Sequence, residues 1–455
     1  MSDSLAPPLD AHALEMPAAP VAAPAAPRRA AWWAAGFHAT TQKAVVAMFD
    51  QAVVSGTTFA TSVIVGHMGS RDTLGVFYLA WTIVVLVQAI QERTISTPYM
   101  IYCSRRSGGA LAFYTGSALL HQVGLSALVG AGLLAFLVAS ACGAGPADFT
   151  PFAAALLGAM PFLLLRWFVR LVSIAHLQMS TTAALDTVVA VLQLSGLLLL
   201  ARWHLLSVPA AYLVMGAACA VACLGWFLTR QQPLRFARAH VLADWRHNWA
   251  FGKWVLASNL VGSTAGCVVP WVITAAHGKS ATGLLAACAT MAGISNMFVA
   301  SLDGFITSKA AQAFSTGGVA RLLRILWTAA LLFCAVLGTF CLLLVAIGGP
   351  LVRFVYGADF SGAGPVVVVL AVGILVNAIG NNAGRGLWVI ERPRANMLPD
   401  ICSLLVTFVV LFCVLPWGPL GAAIATLAGN AAGCITRSWV LAAALKTIPH
   451  RLEAA

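Results

Sequence analysis

Residues 325–347 read ILWTAALLFCAVLGTFCLLLVAI, a run without one charged side chain. A helix crosses the hydrocarbon core of a bilayer in about 20 apolar residues, so this run predicts a transmembrane helix. Stretches of similar length and composition follow one another from residue 44 almost to the end of the chain. The sequence therefore predicts an all-α, polytopic membrane protein.

The overall composition supports this prediction. Hydrophobic residues make up 60% of the 455 residues and charged residues only 9%, and the mean hydropathy is +0.90. A soluble domain averages about 25% charged residues, so this chain has too little charge to cover a water-exposed surface. The formal net charge is +12. Its basic residues collect in alternate loops, which argues against a nucleic-acid partner.

About twelve segments are long and apolar enough to span a bilayer. The predicted spans are 44–67, 74–95, 110–140, 150–177, 182–201, 207–229, 253–276, 281–303, 323–347, 363–384, 398–416 and 419–442. The third segment is long, and only Trp417 and Gly418 separate the last two. Eleven or thirteen spans therefore remain alternatives.

The basic residues of the loops predict the orientation, because Lys and Arg concentrate on the cytoplasmic side. One set of alternating loops and termini carries fifteen basic residues. The opposite set carries four, which are Arg71, Arg202, Lys279 and Arg353. Both termini are therefore predicted to be cytoplasmic.

The predicted spans divide into two halves of six. Residues 1–40 are rich in Ala and Pro and predict a disordered cytoplasmic tail with an interfacial segment. Residues 41–229 form the N-terminal half and residues 253–445 the C-terminal half. The basic linker 230–252 has apolar residues on one helical face, as in a helix that lies on the membrane surface. Residues 446–455 form a second cytoplasmic tail.

A short internal repeat supports the division into halves. Three residues of the first half recur in the second half with an offset of 210, and a glycine then opens the next span in each half. The matched residues are Lys43 with Lys253, His67 with His277, Ser70 with Ser280, and, after a small gap, Gly75 with Gly283. Six spans per half give both halves the same orientation, which predicts a parallel repeat around a central cavity.

Charged residues within the first six spans indicate a candidate site, because such residues usually face protein or water. Asp50 begins a polar stripe on span one, so we expect it to bind a proton or sodium ion, with helix packing as the alternative. On span four, Arg166 and Arg170 share a face, and Asp186 of span five lies at similar depth to Arg170. An Arg170–Asp186 ion pair is one prediction, and a role of Asp186 in ion coupling is the other. Arg166 has no evident partner in the sequence.

Polar residues in the last six spans extend the candidate site. Asn377, Asn381 and Arg385 form an i, i+4, i+8 stripe on span ten, and Arg437 lies within span twelve. We expect these side chains to bind the substrate, since amides can hydrogen-bond sugar hydroxyls. Hydrogen bonds between neighbouring helices are the alternative.

Several short patterns together resemble the Wzx-type polysaccharide flippases, which belong to the superfamily of the MATE exporters and the lipid II flippases. Residues 50–56 (DQAVVSG) open the first span as in many members. Residues 65–80 resemble the pattern LLARxLGxxxFGxxxLA, with His67 in place of Ala or Arg. Residues 356–360 (YGADF) match YGxxF, residues 391–394 (ERPR) resemble GRPR with Glu in place of Gly, and residues 418–426 match GxxGAAxAT.

This resemblance implies a function that composition does not show. It implies a multi-pass flippase of the bacterial cytoplasmic (inner) membrane. Such a protein exports undecaprenyl-diphosphate-linked oligosaccharides for lipopolysaccharide or exopolysaccharide synthesis. Its partners would be the lipid-linked oligosaccharide, membrane lipids and the polysaccharide polymerase machinery. Arg166 and Arg170 are then the predicted diphosphate ligands, because a guanidinium matches phosphate oxygens with two parallel hydrogen bonds.

Two other functions remain open. A MATE-like exporter of cationic drugs would favour an acidic cavity, whereas Arg166, Arg170 and Arg437 outnumber Asp50 and Asp186. A membrane polymerase or ligase of the same pathway usually has a large outer loop with catalytic residues, and the longest outer loop predicted here, 141–149, is Gly- and Ala-rich. The sequence has neither GxxxxGK[ST] nor HExxH. We therefore predict no cofactor and no enzymatic activity.

Overall fold

The computed structural model describes residues 29–143, 149–230 and 233–447. Side chains are described from residue 45 onward within these ranges, apart from those of 254, 258, 304 and 393. Residues 1–45 and 46–455 form separate units, and all contacts given below lie within the second. Most of the predicted N-terminal tail, residues 144–148 of the predicted outer loop and the C-terminal tail beyond residue 447 lie outside the described residues.

The described chain is helical throughout and contains no strand. Its α-helices are α1 (Arg29–Met68), α2 (Arg71–Gln91), α3 (Thr97–Cys103), α4 (Gly108–Ala141), α5 (Thr150–Ala175), α6 (Met179–Arg202), α7 (Val208–Thr229), α8 (Arg238–Tyr356), α9 (Ala363–Val389), α10 (Met397–Val414) and α11 (Pro419–Lys446). A π-helical segment, Glu92–Ser96, joins α2 to α3, so that these elements together form one span.

Nine segments of the described chain are long and apolar enough to cross a membrane. One of them, Val255–Tyr356, is 102 residues long and contains more than one span. Its backbone is not helical at Gly278, Gly317 and Gly318, and the φ angles of Gly278 (83°) and Gly318 (59°) favour glycine. These glycines divide α8 into residues 238–277, 279–316 and 319–356.

The predicted fold class is confirmed. The three parts of α8 contain the predicted spans seven, eight and nine, and the first predicted span lies within α1. The remaining predicted spans coincide with described helices to within a few residues. We call the end of the bundle with the turns at 69–70, 278 and 415–418 the outer end, and the opposite end the inner end, following the charge-based prediction.

The linker helix continues into span seven without a break at residue 252. Asp244 and Asn248 on this helix are buried against α4, where Tyr114 donates a hydrogen bond of 3.0 Å to Asn248 Oδ1. Leu242 and Trp249 are exposed. The linker helix therefore packs on protein through its two buried polar residues.

Glycines allow α2 and the second part of α8 to cross closely at the outer end. A Cβ atom on Gly75 would collide with the carbonyl oxygen of Lys279, and one on Gly283 with the carbonyl oxygen of Arg71. The two contacts are reciprocal, because Arg71 precedes Gly75 by four residues just as Lys279 precedes Gly283. The glycines matched by the sequence repeat therefore lie in equivalent positions of one helix crossing.

Hydrogen bonds link the first spans to the C-terminal half at the same end. The Ser62 hydroxyl lies 3.1 Å from Tyr356 Oη and 3.2 Å from Thr290 Oγ1. His67 Nδ1 lies 3.1 Å from the carbonyl oxygen of Val355, and Arg71 donates to the carbonyl oxygen of Asp359 at 3.1 Å. The outer end is therefore closed by contacts between the predicted halves.

The second part of α8 is buried at the outer end and more exposed toward the inner end. Residues 282–288 of α8 are all buried, whereas Ser301 and Asp303 are exposed. A Cβ on Gly56 or on Gly266 would meet no atom within 4 Å. Because a carboxylate facing lipid is costly, the exposed Asp303 side chain indicates that this part of the helix faces water.

The orientation itself stays a prediction, and reporter fusions test it. Truncations fused after residue 240 should give the signal of a cytoplasmic reporter, because the inner-end loops carry most of the basic residues. A fusion after residue 205, in the turn between α6 and α7, should give the signal of an external reporter. The opposite pair of signals would invert the assignment of inner and outer ends.

Candidate functional site

Four charged side chains from three helices form a network in the N-terminal half. Arg166 and Arg170 lie one turn apart on α5 and therefore share a face. Asp186 comes from α6 and Asp50 from α1. Asp186 is 1% exposed and Asp50 is 5% exposed. Charges buried to this extent need partners, and the network supplies them.

The hydrogen bonds of this network are short and mostly shared by one carboxylate. Arg166 Nε and Nη2 donate to Asp186 Oδ1 at 3.0 and 2.7 Å. Arg170 Nε donates to Asp186 Oδ2 at 2.7 Å, and its Nη2 donates to Asp50 Oδ2 at 2.6 Å. Asp186 thus accepts three hydrogen bonds and Asp50 only one from the two arginines. Arg170 is the residue that connects α1 with α6.

The network confirms one contact predicted from the sequence and corrects another. The predicted Arg170–Asp186 ion pair is present. The expectation that Arg166 lacks a counter-ion is wrong, because Arg166 also pairs with Asp186. A carboxylate has two oxygens that accept several hydrogen bonds, so one Asp can serve two arginines a turn apart. The sequence argument assigned Asp186 to one partner only.

The polar stripe of α1 makes a second contact with α6. Gln193, seven residues after Asp186, donates a hydrogen bond of 2.7 Å to Thr61 Oγ1. The Thr57 hydroxyl donates to the carbonyl oxygen of Val53 in its own helix. Thr61 therefore joins α1 to α6, and Thr57 bonds only within α1. Asp50 Oδ1 is buried and accepts no hydrogen bond within the described part of the chain.

Two further ion pairs lie in the C-terminal half. Arg385 of α9 pairs with Asp303 of α8, and Arg437 of α11 pairs with Asp400 of α10. The sequence analysis placed neither Asp303 nor Asp400 in the candidate site and gave Arg385 and Arg437 no partner. Asp400 and Arg437 lie almost equally far from the turn at Gly418, so comparison of depths in adjacent spans would have found this pair.

The two predicted asparagine ligands differ from neighbouring asparagines in their hydrogen bonding. Asn377 and Asn381 are half-buried and form no hydrogen bond within the described residues. Asn382, by contrast, donates to the carbonyl oxygen of Leu326, and Asn430 donates to that of Gly373. The first two amides are therefore available to a ligand, whereas the other two hold helices together.

The predicted excess of positive charge is absent from these clusters. Arg166, Arg170, Arg385 and Arg437 are balanced by four aspartates, since Asp303 and Asp400 join the two that were predicted. In the described ranges, no group of three or more His, Cys, Asp or Glu side chains could hold a metal ion. The arginines and aspartates of these clusters offer ionic and hydrogen-bond partners to a ligand.

Known structures share this fold at low sequence identity. No protein-family model matches the sequence, and no curated protein matches it. An inward-facing multidrug resistance MATE family transporter of the MOP superfamily has a TM-score of 0.72 at 14% identity, covering 89% of this chain and 100% of that chain. The lipid II flippase MurJ in an inward closed conformation has a TM-score of 0.70 at 15% identity, covering 91% of this chain and 89% of that chain.

An outward-facing MATE family transporter gives a lower TM-score of 0.61, at 16% identity, covering 90% of this chain and 96% of that chain. At these identities the comparison concerns architecture. The chain therefore has the helical membrane fold of these MOP-superfamily proteins.

Proposed function

We propose that the protein is a flippase that moves an undecaprenyl-diphosphate-linked oligosaccharide across the membrane by alternating access. The observation that carries this proposal is that α1, α2 and the second part of α8 are in close contact at the outer end, whereas side chains of the second part of α8 become exposed toward the inner end, where the charged clusters lie. A transporter needs such a state and its converse, with the site open to one side at a time. The fold shared with MurJ and the sequence motifs support the choice of a flippase.

The pairing of the aspartates favours this proposal over a MATE-like exporter of cations. An organic cation needs a carboxylate that it can reach. Asp50, Asp186 and Asp400 are buried, and all four aspartates, including the exposed Asp303, already pair with an arginine. An anionic diphosphate can instead replace a carboxylate as the partner of a guanidinium, whose planar donors match phosphate oxygens.

The network suggests how an ion could be coupled to substrate binding. Asp50 holds Arg170 by one hydrogen bond, whereas Asp186 is held by both arginines. Binding of a proton or sodium ion to Asp50 would weaken that single bond and free Arg170 Nη2 for a phosphate oxygen. In this scheme Arg166 and Arg170 bind the diphosphate, while Asn377, Asn381, Arg385 and Arg437 bind the glycan portion.

Arg166→Gln tests the substrate role. The variant should fold, because Asp186 keeps its bond to Arg170, and it should lower polysaccharide export at least tenfold. Arg166→Lys should restore export only in part, because an ammonium keeps the charge without the planar donors. Export is measured in a strain lacking the chromosomal gene, with protein abundance as the control. Normal export from a well-expressed Arg166→Gln variant would remove the diphosphate role.

Asp50→Asn tests the coupling role. The amide keeps the size of the side chain and removes its charge. Export by this variant should no longer respond to collapse of the proton or sodium gradient, each tested separately with an ionophore. An unchanged response would make Asp50 a packing residue and leave the potential or substrate consumption as the driving force. The matched control is Asp72→Asn, an exposed aspartate in the first turn of α2.

A further inference from the structure

The linker helix, which comprises residues 238–252 of α8, carries a stripe of apolar and basic side chains. The members of the stripe recur at i, i+4, i+7 and i+11 and therefore share one side of the helix. They are Arg238, Leu242, Trp245 and Trp249. The stripe is rotated away from Asp244 and Asn248, which are buried. The linker helix therefore has an aromatic and basic side that is separate from its buried polar side.

Most of this stripe is exposed. Leu242 is 55% exposed and Trp249 is 41% exposed, and Arg238 is exposed as well. The rings of Trp245 and Trp249 stack with their centroids 5.8 Å apart, and the Trp245 ring also packs against that of His121. Tryptophan is enriched at membrane–water interfaces, because its ring is apolar and its N–H is polar. The exposed side of the linker helix therefore has the composition of an interfacial surface.

Two arginines lie beside these apolar side chains. Arg238 begins the helix, and Arg246 follows eight residues later, or about 12 Å along the helix axis. Both side chains are exposed, and neither forms an ion pair or a hydrogen bond within the described residues. A guanidinium only donates hydrogen bonds, and its planar donors match phosphate oxygens. Both arginines are therefore available to an anion.

The carboxylates of this region are already paired. Asp244, the one acidic residue of the linker helix, is buried and accepts a hydrogen bond of 3.0 Å from Arg106. Residues 98–122, which include α3 and the part of α4 in contact with the linker helix, contain no acidic residue. Glu92 pairs with Arg93. The exposed arginines of the stripe therefore lie on a surface of positive charge.

We propose that this side of the linker helix binds the headgroups of anionic lipids, with Leu242 and Trp249 inserted at the boundary between headgroups and acyl chains. The linker continues as a helix into span seven, so it lies where the chain enters the bilayer. Helices at the membrane interface combine aromatic and aliphatic residues with arginines, and each basic residue near an anionic surface strengthens binding. A soluble polyanion would leave Leu242 and Trp249 in water, whereas a bilayer covers them. The proposal does not depend on what the protein transports.

Hydrogen exchange of the full-length protein in lipid nanodiscs, measured by mass spectrometry, tests the proposal. Amides of residues 235–251 should exchange at least threefold more slowly in phosphatidylglycerol than in phosphatidylcholine, whose choline neutralises the phosphate. This difference should be lost in the double variant Arg238→Gln/Arg246→Gln and kept in Arg238→Lys/Arg246→Lys. The matched control is Arg321→Gln/Arg324→Gln, which removes two exposed arginines from the inner end of the C-terminal half. The control should exchange like the wild type in both lipids.

Salt provides a test that needs no variant. At 1 M NaCl the screening length falls to about 3 Å, so the difference between the two lipids should disappear in the wild type. Equal exchange in both lipids at low salt would overturn the proposal, as would loss of the difference in the Arg321→Gln/Arg324→Gln control. Protection by heparin in phosphatidylcholine, without protection by phosphatidylglycerol, would assign the surface to a soluble polyanion instead. Because transport is not measured, failure here leaves the flippase proposal untouched.

Discussion

Asp186→Asn will destabilise the protein more than any other single change to the charged network. Asp186 accepts three hydrogen bonds from two arginines and its side chain is fully buried. The variant leaves Asp50 as the one carboxylate of this network, and the ion pair of Asp50 is with Arg170. Removing one partner of a buried ion pair lowers the stability by about 3–5 kcal/mol, because the other charge stays buried without a partner. We expect little folded protein after extraction in detergent and a clearly lower melting temperature for what remains.

A second substitution distinguishes loss of charge balance from loss of shape. Adding Arg166→Gln to Asp186→Asn leaves one arginine and one aspartate, Arg170 and Asp50, which are already hydrogen-bonded. The double variant should therefore recover part of the stability, as coupled sites do. Asp72→Asn, the control, should have the same melting temperature as the wild type. A stable Asp186→Asn single variant would show that the network is not a main source of stability.

Gly75→Ala and Gly283→Ala will each oppose closure of the outer end. In both variants the new methyl group collides with a backbone carbonyl of the crossing helix, which cannot move away like a flexible side chain. A conformation in which these two helices are separated at the outer end avoids the collision and should become the most populated conformation. We expect export to fall at least tenfold and amide hydrogen exchange to rise in segments 66–78 and 279–290, measured by mass spectrometry.

Two other glycines provide the control. Gly56 and Gly266 also lie within spans, but a Cβ at either position meets no atom within 4 Å. Replacement of a helical glycine by alanine stabilises a helix by about 1 kcal/mol when no contact opposes it. Gly56→Ala and Gly266→Ala should therefore retain export, and their amide hydrogen exchange should equal that of the wild type. Similar defects in all four variants would mean that helix propensity, not the crossing, causes the effect.

The spans could be predicted from the sequence because each depends on its own residues. A run such as 325–347 is apolar enough to be recognised as a span from its own residues. Gly278 marks a helix break whose position hydropathy alone does not give. The nine apolar segments and the glycine breaks of α8 agree with that prediction. Local composition determines which segments enter the membrane.

The partners of charged residues were harder to predict. Each contact depends on the depth of both residues in the bundle, on the rotation of both helices about their axes and on the length of both side chains. The pair Arg170–Asp186 was found because α5 and α6 are joined by a short turn. The partner of Arg166 was missed because the sequence analysis assigned each carboxylate to a single arginine. The contact of Arg170 with Asp50 joins helices far apart in sequence, and no spacing rule gives it.

The reciprocal contact of Gly75 and Gly283 has the form of an isologous interface, in which one surface patch meets a copy of itself. Two identical six-helix chains with a common orientation would meet in the same way, as a homodimer with its twofold axis along the membrane normal. In such a dimer one glycine would serve both sides of the crossing. In this chain two separate glycines do so, and each faces a backbone carbonyl of the other helix. A larger residue at either position therefore meets the same obstacle, whichever of the two helices carries it.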